Sequence, residues 1–217
     1  MDVYEALKKS VVEYDVKGAA NWARKVVDEG LDPVVALNAI SEAMHLVGEG
    51  YACEELWLPD LVGAADASKA ALPILEKEIA RRGQQTSHLG TVVVGTVRGD
   101  IHTIGKSMVG VLLLAAGFRV IDVGEDVSSE RFVQAVKESH ADILALSALL
   151  TTTAPEQGKV IEALKEAGLR DRVKIMVGGG AITQQFADRI GADGYRSTAP
   201  AAVELARSLL NADTRRI

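Results

Sequence analysis

The spacing of apolar residues divides the chain into two parts with different periods. Over about the first eighty residues the apolar positions recur every three to four residues, which is typical of amphipathic helices. Helices are predicted over about 2–14 and 18–29, and two more begin near Asp32 and Leu58, each of which is followed by a proline. Four helices with short connections predict a small bundle.

Residues 81–90 show no apolar period and are predicted to be a linker. Beyond them, short apolar runs rich in β-branched residues predict five strands, at Thr91–Val97, Arg119–Val123, Ile143–Ser147, Val173–Val177 and Asp193–Arg196. Helical patterns follow these runs, over 105–116, 128–139, 155–168, 181–190 and 199–210. This alternation predicts an α/β fold with a five-stranded parallel sheet of flavodoxin-like or Rossmann-like order. The predicted domains are therefore a helical bundle over 1–84 and an α/β domain over 90–217.

Composition narrows the class of protein without identifying it. The 217 residues are 48% hydrophobic and 25% charged, as in soluble globular proteins, while aromatic residues make up only 4%. The net charge of −6 disfavours a nucleic-acid partner, because phosphate binding needs a basic surface. The single cysteine, Cys53, suits a reducing cytoplasm and excludes an internal disulfide. No segment has the apolar length of a membrane span, so no membrane partner is expected.

Polar residues and glycines follow three of the predicted strands. Strand one leads into residues 98–105, strand three ends at Ser147 and continues through 148–153, and strand four leads into the glycines of 178–180. Ligands of open α/β sheets bind beyond the carboxyl ends of the strands, near the point where the strand order reverses. We therefore expect these three loops to line one crevice.

The pair Asp100 and His102 is the first candidate for chemistry in these loops. An aspartate that accepts a hydrogen bond from one imidazole nitrogen raises the basicity of the other nitrogen, which can bind a metal or take a proton. A surface loop with a salt bridge is the commoner explanation of such a pair when it stands alone. The run Gly105-Lys106-Ser107 is similar to the end of a phosphate-binding loop, but residue 100 is Asp where that loop needs glycine, so nucleotide binding is disfavoured.

Taken together, these motifs resemble the three-part signature of cobalamin-binding proteins. In chain order the parts are Asp100-x-His102-x-x-Gly105, Ser147-x-Leu149 and Gly179-Gly180. The upstream bundle, with Tyr51 and Leu58, resembles the cap module of methionine synthase and of corrinoid methyltransferases. The chain is most similar to the small corrinoid proteins of methylamine, methanol and methoxyaromatic methyltransferase systems.

The resemblance implies that the cofactor is cobalamin, a cobalt corrinoid, and that His102 is the protein ligand of the metal. His102 would replace the dimethylbenzimidazole of the cofactor as the lower ligand, the base-off/His-on form. Asp100 would hydrogen-bond to His102, and the hydroxyl of Thr153 would complete the relay. The rest of the first motif would contact the cofactor as well, through Arg98, Gly99, Ile101, Thr103, Ile104 and Gly105.

Other residues receive implied roles around the same cofactor. Ser147 and Leu149 would line a slot for the displaced nucleotide tail, and Gly179 and Gly180 would let that tail lie against the backbone. Thr151 would contact the corrin ring. Two cap residues would cover its upper face, Tyr51 and Leu58.

The implied function is that of a methyl carrier without catalytic residues of its own. Its expected partners are a substrate:corrinoid methyltransferase, a second methyltransferase serving tetrahydrofolate or coenzyme M, and a reductive activase. A subunit of a cobalamin-dependent mutase, a cobalamin-sensing module and a binding module without cobalamin are the alternatives. Mutases usually lack this cap, and a sensor needs an output domain. The methyl donor stays open between methylamines, betaines, methanol and aryl methyl ethers.

Overall fold

In the computed structural model of the protein, the described residues are 2–84 and 88–214, and side chains are described as far as residue 211. The chain divides into two compact units. One comprises the residues up to His88 together with Leu114–Gly117, and the other comprises Leu89–Leu113 and the residues from Phe118 onward. The predicted linker at 81–90 lies partly outside the described residues, at 85–87.

The first unit contains four helices, as its apolar period predicts. They are α1 (Val3–Val12), α2 (Val16–Asp28), α3 (Pro33–Ala52) and α4 (Leu58–Arg82). The Asp15 side chain accepts a hydrogen bond from the backbone N–H of Gly18 (2.9 Å), and Asp32 accepts one from Val34 (2.9 Å). These carboxylates satisfy N–H groups that a first helical turn leaves unpaired, so α2 and α3 each begin directly after an aspartate, α3 at the predicted cap and α2 two residues before its predicted start.

The end of α4 corrects the predicted start of the linker. The helix continues through Arg82 and ends at Gly83, whose φ of +65° is readily adopted only by glycine. Residues 81 and 82 are therefore helical. Both arginines, at 81 and 82, donate hydrogen bonds to the buried carboxylate of Glu78 at 2.6–2.7 Å, which holds this last turn together.

The second unit is built on a five-stranded parallel sheet. Its strands are β1 (Thr91–Thr96), β2 (Arg119–Asp122), β3 (Ile143–Ser147), β4 (Lys174–Gly178) and β5 (Gly194–Tyr195), in the order β2-β1-β3-β4-β5. The helices are α5 (Ile104–Ala115), α6 (Ser129–Ser139), α7 (Ala154–Glu166), α8 (Gln184–Ile190) and α9 (Ala199–Thr214), with a short 3-10 helix at Arg170–Arg172. The predicted fold class and flavodoxin-like order are confirmed.

The fifth strand is shorter than predicted. Only Gly194 and Tyr195 pair with β4, because the chain then turns towards α9 through residues 196–198. Asp193, which was predicted to begin this strand, instead accepts a hydrogen bond on its side chain from the backbone N–H of Ile175 (2.7 Å).

The two faces of the sheet differ in what they pack against. Strand residues such as Val93, Leu144 and Ile175 pack with Phe132 of α6 and Ile161 of α7 in one continuous apolar core. The alternate residues of the same strands face the opposite side. No helix among the described residues is long and apolar enough to span a membrane.

The central strands end at the same level, and this brings their loops together. Thr96 of β1 is paired with Ser147 of β3, and Ser147 is paired with Gly178 of β4. The strand order reverses between β1 and β3. The loops after β1, β3 and β4 therefore leave the sheet side by side, at the carboxyl ends of the strands, where α/β proteins bind ligands.

Candidate functional site

The loop after β1 holds a histidine in place through a buried carboxylate. Asp100 is only 1% exposed, and its Oδ1 accepts hydrogen bonds from the backbone N–H (3.0 Å) and from Nδ1 (2.7 Å) of His102. The loop bends at Gly99, which has a φ of +77° and donates its N–H to Asp126 (2.7 Å). The Asp-x-His spacing thus forms one compact unit, not an open surface ion pair.

A second loop completes the coordination of the same carboxylate. Oδ2 of Asp100 accepts hydrogen bonds from the backbone N–H of Leu149 (2.8 Å) and from the hydroxyl of Thr153 (2.6 Å), which directly precedes α7. Both donors follow β3, whereas Asp100 follows β1. The level ends of the two strands therefore place the acceptor and its donors within reach.

The protonation of the pair follows from these contacts. Burial raises the pKa of Asp100, but the hydrogen bonds from Thr153, His102 and Leu149 outweigh it and hold the pKa well below its usual range. An ionised carboxylate only accepts hydrogen bonds, so Nδ1 of His102 must carry the proton. In the neutral imidazole the lone pair then lies on Nε2, and Nε2 makes no hydrogen bond to any of the residues the structure describes.

A cavity of about 530 Å³ opens beside His102. It lies on the side of the sheet covered by α5 and α9. Its apolar wall is formed by Val94, Met108, Val109, Ala145 and Met176. Six of the residues singled out from the sequence line it, namely His102, Gly105, Ser147, Leu149, Gly179 and Gly180. A free imidazole nitrogen beside an apolar cavity is suited to bind a large, mostly apolar ligand.

Three of the four glycines that line the cavity were predicted from the sequence, and a side chain at each would meet different surroundings. At Gly179 (φ +126°) a Cβ would collide with the backbone carbonyl of Ala148, so this glycine lets the loops after β3 and β4 touch. At Gly180 a Cβ would lie 2.9 Å from Cδ1 of Leu149. At Gly105 a Cβ would meet nothing within 4 Å. Packing within the protein therefore does not require glycine at position 105, whereas a ligand in the cavity would.

The remaining predicted residues are not among those that line this cavity. Ile101 and Ile104 flank His102 and are 70% and 80% exposed, an unusual state for isoleucine. Arg98, Thr103 and Thr151 belong to the same two loops. Tyr51 and Leu58 belong to the first unit, where Tyr51 lies in the last turn of α3 and Leu58 begins α4. Both are half-buried and lie on either side of the turn at 53–57.

Two further parts of the cavity wall were not predicted from the sequence. Residues 195–200, which run from the last residue of β5 into the start of α9, line it, and the loop after β5 also lies at the carboxyl end of a parallel strand. Lys106 also lines it, but its ammonium group is bound to Asp122 (2.6 and 2.7 Å) and to the carbonyl of Gly124 (3.3 Å). The only signal for Lys106 was its similarity to a phosphate-binding loop.

The donor set fits a metal that arrives inside a macrocycle. Across residues 2–84 and 88–214, no three His, Cys, Asp or Glu side chains gather as a site for a bare cation. A macrocycle fills the equatorial positions of its metal and needs one axial ligand from the protein, as in haem proteins. His102 offers one such nitrogen, with an orienting carboxylate behind it.

Comparison with known proteins shows the family of the chain. Residues 90–205 and residues 3–76 each match a family model described as a B12 binding domain. A corrinoid protein of Desulfitobacterium hafniense is 44% identical over 97% of this chain and 98% of its own length, and trimethylamine corrinoid protein 2 of Methanosarcina mazei is 43% identical over 96% of both chains. Among solved structures, the methanol:cobalamin methyltransferase complex of Methanosarcina barkeri superimposes with a TM-score of 0.80 at 28% identity, over 96% of this chain and 80% of that one.

Both family matches indicate B12 binding, and the relatives that are similar over nearly their full length are corrinoid proteins. The motifs recognised in the sequence lie within the first of these matches, at residues 90–205. The chain therefore belongs to the family of B12-binding corrinoid proteins and binds cobalamin or a related corrinoid.

Proposed function

We propose that the protein is the methyl-carrying corrinoid subunit of a methyltransferase system and that it binds cobalamin in the base-off/His-on form. The observation that carries this proposal is the free Nε2 of His102 beside the cavity, with Nδ1 held 2.7 Å from an ionised Asp100. When bound, the corrinoid supplies the cobalt centre at which a methyl group is accepted and released.

The residues behind His102 adjust how strongly it binds the metal. A proton on Nδ1 that moves towards Asp100 makes Nε2 a stronger donor, and one that moves away makes it a weaker donor. Because Thr153 and Leu149 donate to the other oxygen of Asp100, they set how much negative charge remains for Nδ1. The relay would thereby let the donor strength of Nε2 change with the oxidation state of the metal.

The cavity is the proposed place of the displaced nucleotide tail, with Ser147, Leu149, Gly179 and Gly180 in its wall. The remaining residues of the first motif are proposed to contact the cofactor, and Thr151 is proposed to contact the corrin ring. The proposed domain organisation is a cap over residues 1–84, which presents Tyr51 and Leu58 to the upper face, and a cobalamin-binding domain over 90–217.

The partners are proposed from the similar proteins. Several relatives are named trimethylamine or dimethylamine corrinoid proteins, and the similar solved structure is a complex with a methyltransferase. We expect the protein to receive a methyl group from a methylamine:corrinoid methyltransferase and to pass it to a second methyltransferase serving tetrahydrofolate or coenzyme M. A reductive activase would restore inactivated protein, and all partners would be cytoplasmic.

Reconstitution tests this function directly. Purified protein loaded with hydroxocobalamin and reduced should acquire isotope-labelled methyl from trimethylamine when a trimethylamine methyltransferase is added, and should then pass the label to coenzyme M or tetrahydrofolate with the second enzyme. Omission of the first enzyme should leave the protein unlabelled. A protein that takes up no corrinoid, or that stays unlabelled with methylamines, methanol and aryl methyl ethers and their methyltransferases, would refute the carrier function.

Replacement of Gly105 by alanine tests whether glycine is needed at this position for cobalamin binding or for the stability of the protein. The free energy of unfolding of the apo protein should stay the same or rise by up to about 1 kcal/mol, because alanine suits a helix and its Cβ meets nothing within 4 Å. The dissociation constant for cobalamin, measured by fluorescence quenching or equilibrium dialysis, should rise about tenfold, because the methyl group intrudes on the ligand.

The matched control for Gly105→Ala is Gly110→Ala in the same helix. A Cβ at Gly110 would make only ordinary contacts, 3.7 Å from Val120 and 3.9 Å from Val94, and Gly110 does not line the cavity. Gly110→Ala should therefore bind cobalamin like the wild type. Equal affinities of all three proteins would show that Gly105 does not face the ligand.

A further inference from the structure

The carbonyl group of His102 has an anchor that neither the motif nor the relay through Asp100 includes. The hydroxyl of Thr96 donates a hydrogen bond to the backbone oxygen of His102 at 3.1 Å. Thr96 is 0% exposed and is the last residue of β1. A polar side chain at full burial costs free energy unless it is hydrogen-bonded, so this contact accounts for a hydroxyl at the end of an apolar strand.

The hydroxyl of Thr96 is mounted on a rigid part of the sheet. β1 lies between β2 and β3, and Thr96 is paired with Ser147 of β3. Its backbone N–H donates to the carbonyl of Gly124, and its own carbonyl accepts from the N–H of Val127, both at 3.0 Å. With its main chain held on both sides, the side chain of Thr96 offers a donor at a constant position.

The hydrogen bonds of His102 therefore come from two independent supports. Asp100 binds its backbone N–H and its Nδ1, and Asp100 is in turn held by the loop after β3. Thr96 binds its carbonyl from β1. Without the second support, the carbonyl of His102 would lose this hydrogen bond, and the position of the imidazole would depend on Asp100 alone.

We propose that Thr96 is a positioning residue, which holds the main chain of His102 so that Nε2 points to the metal. This inference rests on the proposed ligation by His102. It predicts that loss of the Thr96 hydroxyl weakens ligation without removing the ligand, because the imidazole and Asp100 both remain.

The test compares Thr96→Val with Thr96→Ser in cobalamin-loaded protein at neutral pH. Valine has nearly the shape of threonine but cannot donate, whereas serine keeps the hydroxyl. Potassium cyanide displaces a lower nitrogen ligand, and the displacement is read from the absorption spectrum. The cyanide concentration at half-displacement should be about threefold or more lower for Thr96→Val, as expected for one lost hydrogen bond, and near the wild-type value for Thr96→Ser.

Thr91→Val is the matched control for the loss of a buried hydroxyl. Thr91 is the first residue of the same strand and is 5% exposed. It therefore lies at the amino end of β1, whereas the loop of His102 follows the carboxyl end. Its substitution should leave the cyanide displacement unchanged. Should Thr96→Val fail to fold, Thr96→Ala replaces it with the same expectation, because alanine removes the hydroxyl without introducing new volume.

A second readout does not depend on the cofactor. In apo protein, the amide hydrogen of His102 should exchange with solvent about threefold or more faster in Thr96→Val than in the wild type or Thr91→Val. The proposal is wrong if Thr96→Val behaves as the wild type in both measurements, or if Thr91→Val shifts them equally. Absence of a displaceable nitrogen in the wild type would instead refute ligation by His102, and amide exchange would then decide the role of Thr96.

Discussion

Cobalamin bound to a His102→Asn protein is expected to lack the axial nitrogen of the wild type. Nε2 of His102 is the imidazole nitrogen left free beside the cavity, and the asparagine side chain is too short to replace it. The electron paramagnetic resonance spectrum of the reduced cobalt(II) form should lose the nitrogen hyperfine splitting entirely. The dissociation constant for cobalamin should rise by about tenfold or more, since even loss of an outer partner of a metal ligand has an effect of that order.

The fold should survive the loss of this side chain. Asp100 keeps the hydrogen bonds from Leu149 and Thr153, so the buried carboxylate is not left without donors. The histidine for comparison is His140, which follows the last residue of α6 and has a φ of +50°. It precedes the amino end of β3, whereas His102 lies beyond the carboxyl end of β1. Asparagine tolerates that conformation, so His140→Asn should keep the splitting. Nitrogen splitting that persists in His102→Asn would show that the ligand lies elsewhere.

A Gly179→Ala protein is expected to be severely destabilised even without cofactor. Its Cβ would overlap the carbonyl of Ala148 and lie 2.6 Å from the carbonyl carbon, and both are backbone atoms that no side-chain rotation can move. The positive φ of +126° adds strain for any residue with a Cβ. Together these effects should lower the free energy of unfolding by about 3 kcal/mol or more and the Tm by roughly 6 to 12 °C, as measured by circular dichroism.

The same substitution should also disturb the relay to His102. Leu149 follows Ala148 directly, so a shift of Ala148 away from the new methyl group would carry the Leu149 N–H away from Asp100, to which it is now bonded at 2.8 Å. Cobalamin affinity should fall together with stability. This coupling arises because the loops after β3 and β4 touch at Gly179.

Two other glycines separate the causes of this effect. Gly168 has a φ of +66° with nothing within 4 Å of its Cβ position, so Gly168→Ala should show only conformational strain of about 1 kcal/mol. In Gly180→Ala the new Cβ would come too close only to the movable end of the Leu149 side chain, since the Leu149 backbone oxygen lies at an ordinary contact distance of 3.6 Å. This protein should therefore have nearly the stability of the wild type. If Gly179→Ala were no less stable than Gly168→Ala, contact between the loops would not be the reason for glycine at 179.

Much of the site could be predicted because its residues either lie close together in the chain or directly follow strands that apolar, β-branched runs predict. Asp100 and His102 are two residues apart, so their contact follows from local geometry. The placement of Ser147 and Gly179 at one edge follows from the parallel order of β1, β3 and β4. The hydroxyl of Thr153 was located by resemblance, because its distance from Asp100 depends on how the loop after β3 folds back.

Other features depend on contacts that no pattern along the chain shows. The hydrogen bond from Thr96 to the His102 carbonyl requires the loop after β1 to return to its own strand. The glycines at 105 and 179 belong to equally conspicuous motifs, yet one faces open space and the other faces the backbone of Ala148. Similarly, Lys106 bonds to Asp122 of β2, a partner that its similarity to a phosphate-binding loop does not indicate.

The amino-acid sequence sufficed for the helical first part, the alternating second part and the residues of the three-part motif, since period, caps and glycine positions act over a few residues. The level ends of β1 and β3 and the hydrogen bonds from Leu149 and Thr153 to Asp100 follow from tertiary structure, and so does the cavity beside Nε2 of His102. They depend on strand register and loop packing between residues about fifty positions apart, where small displacements decide whether a hydrogen bond forms.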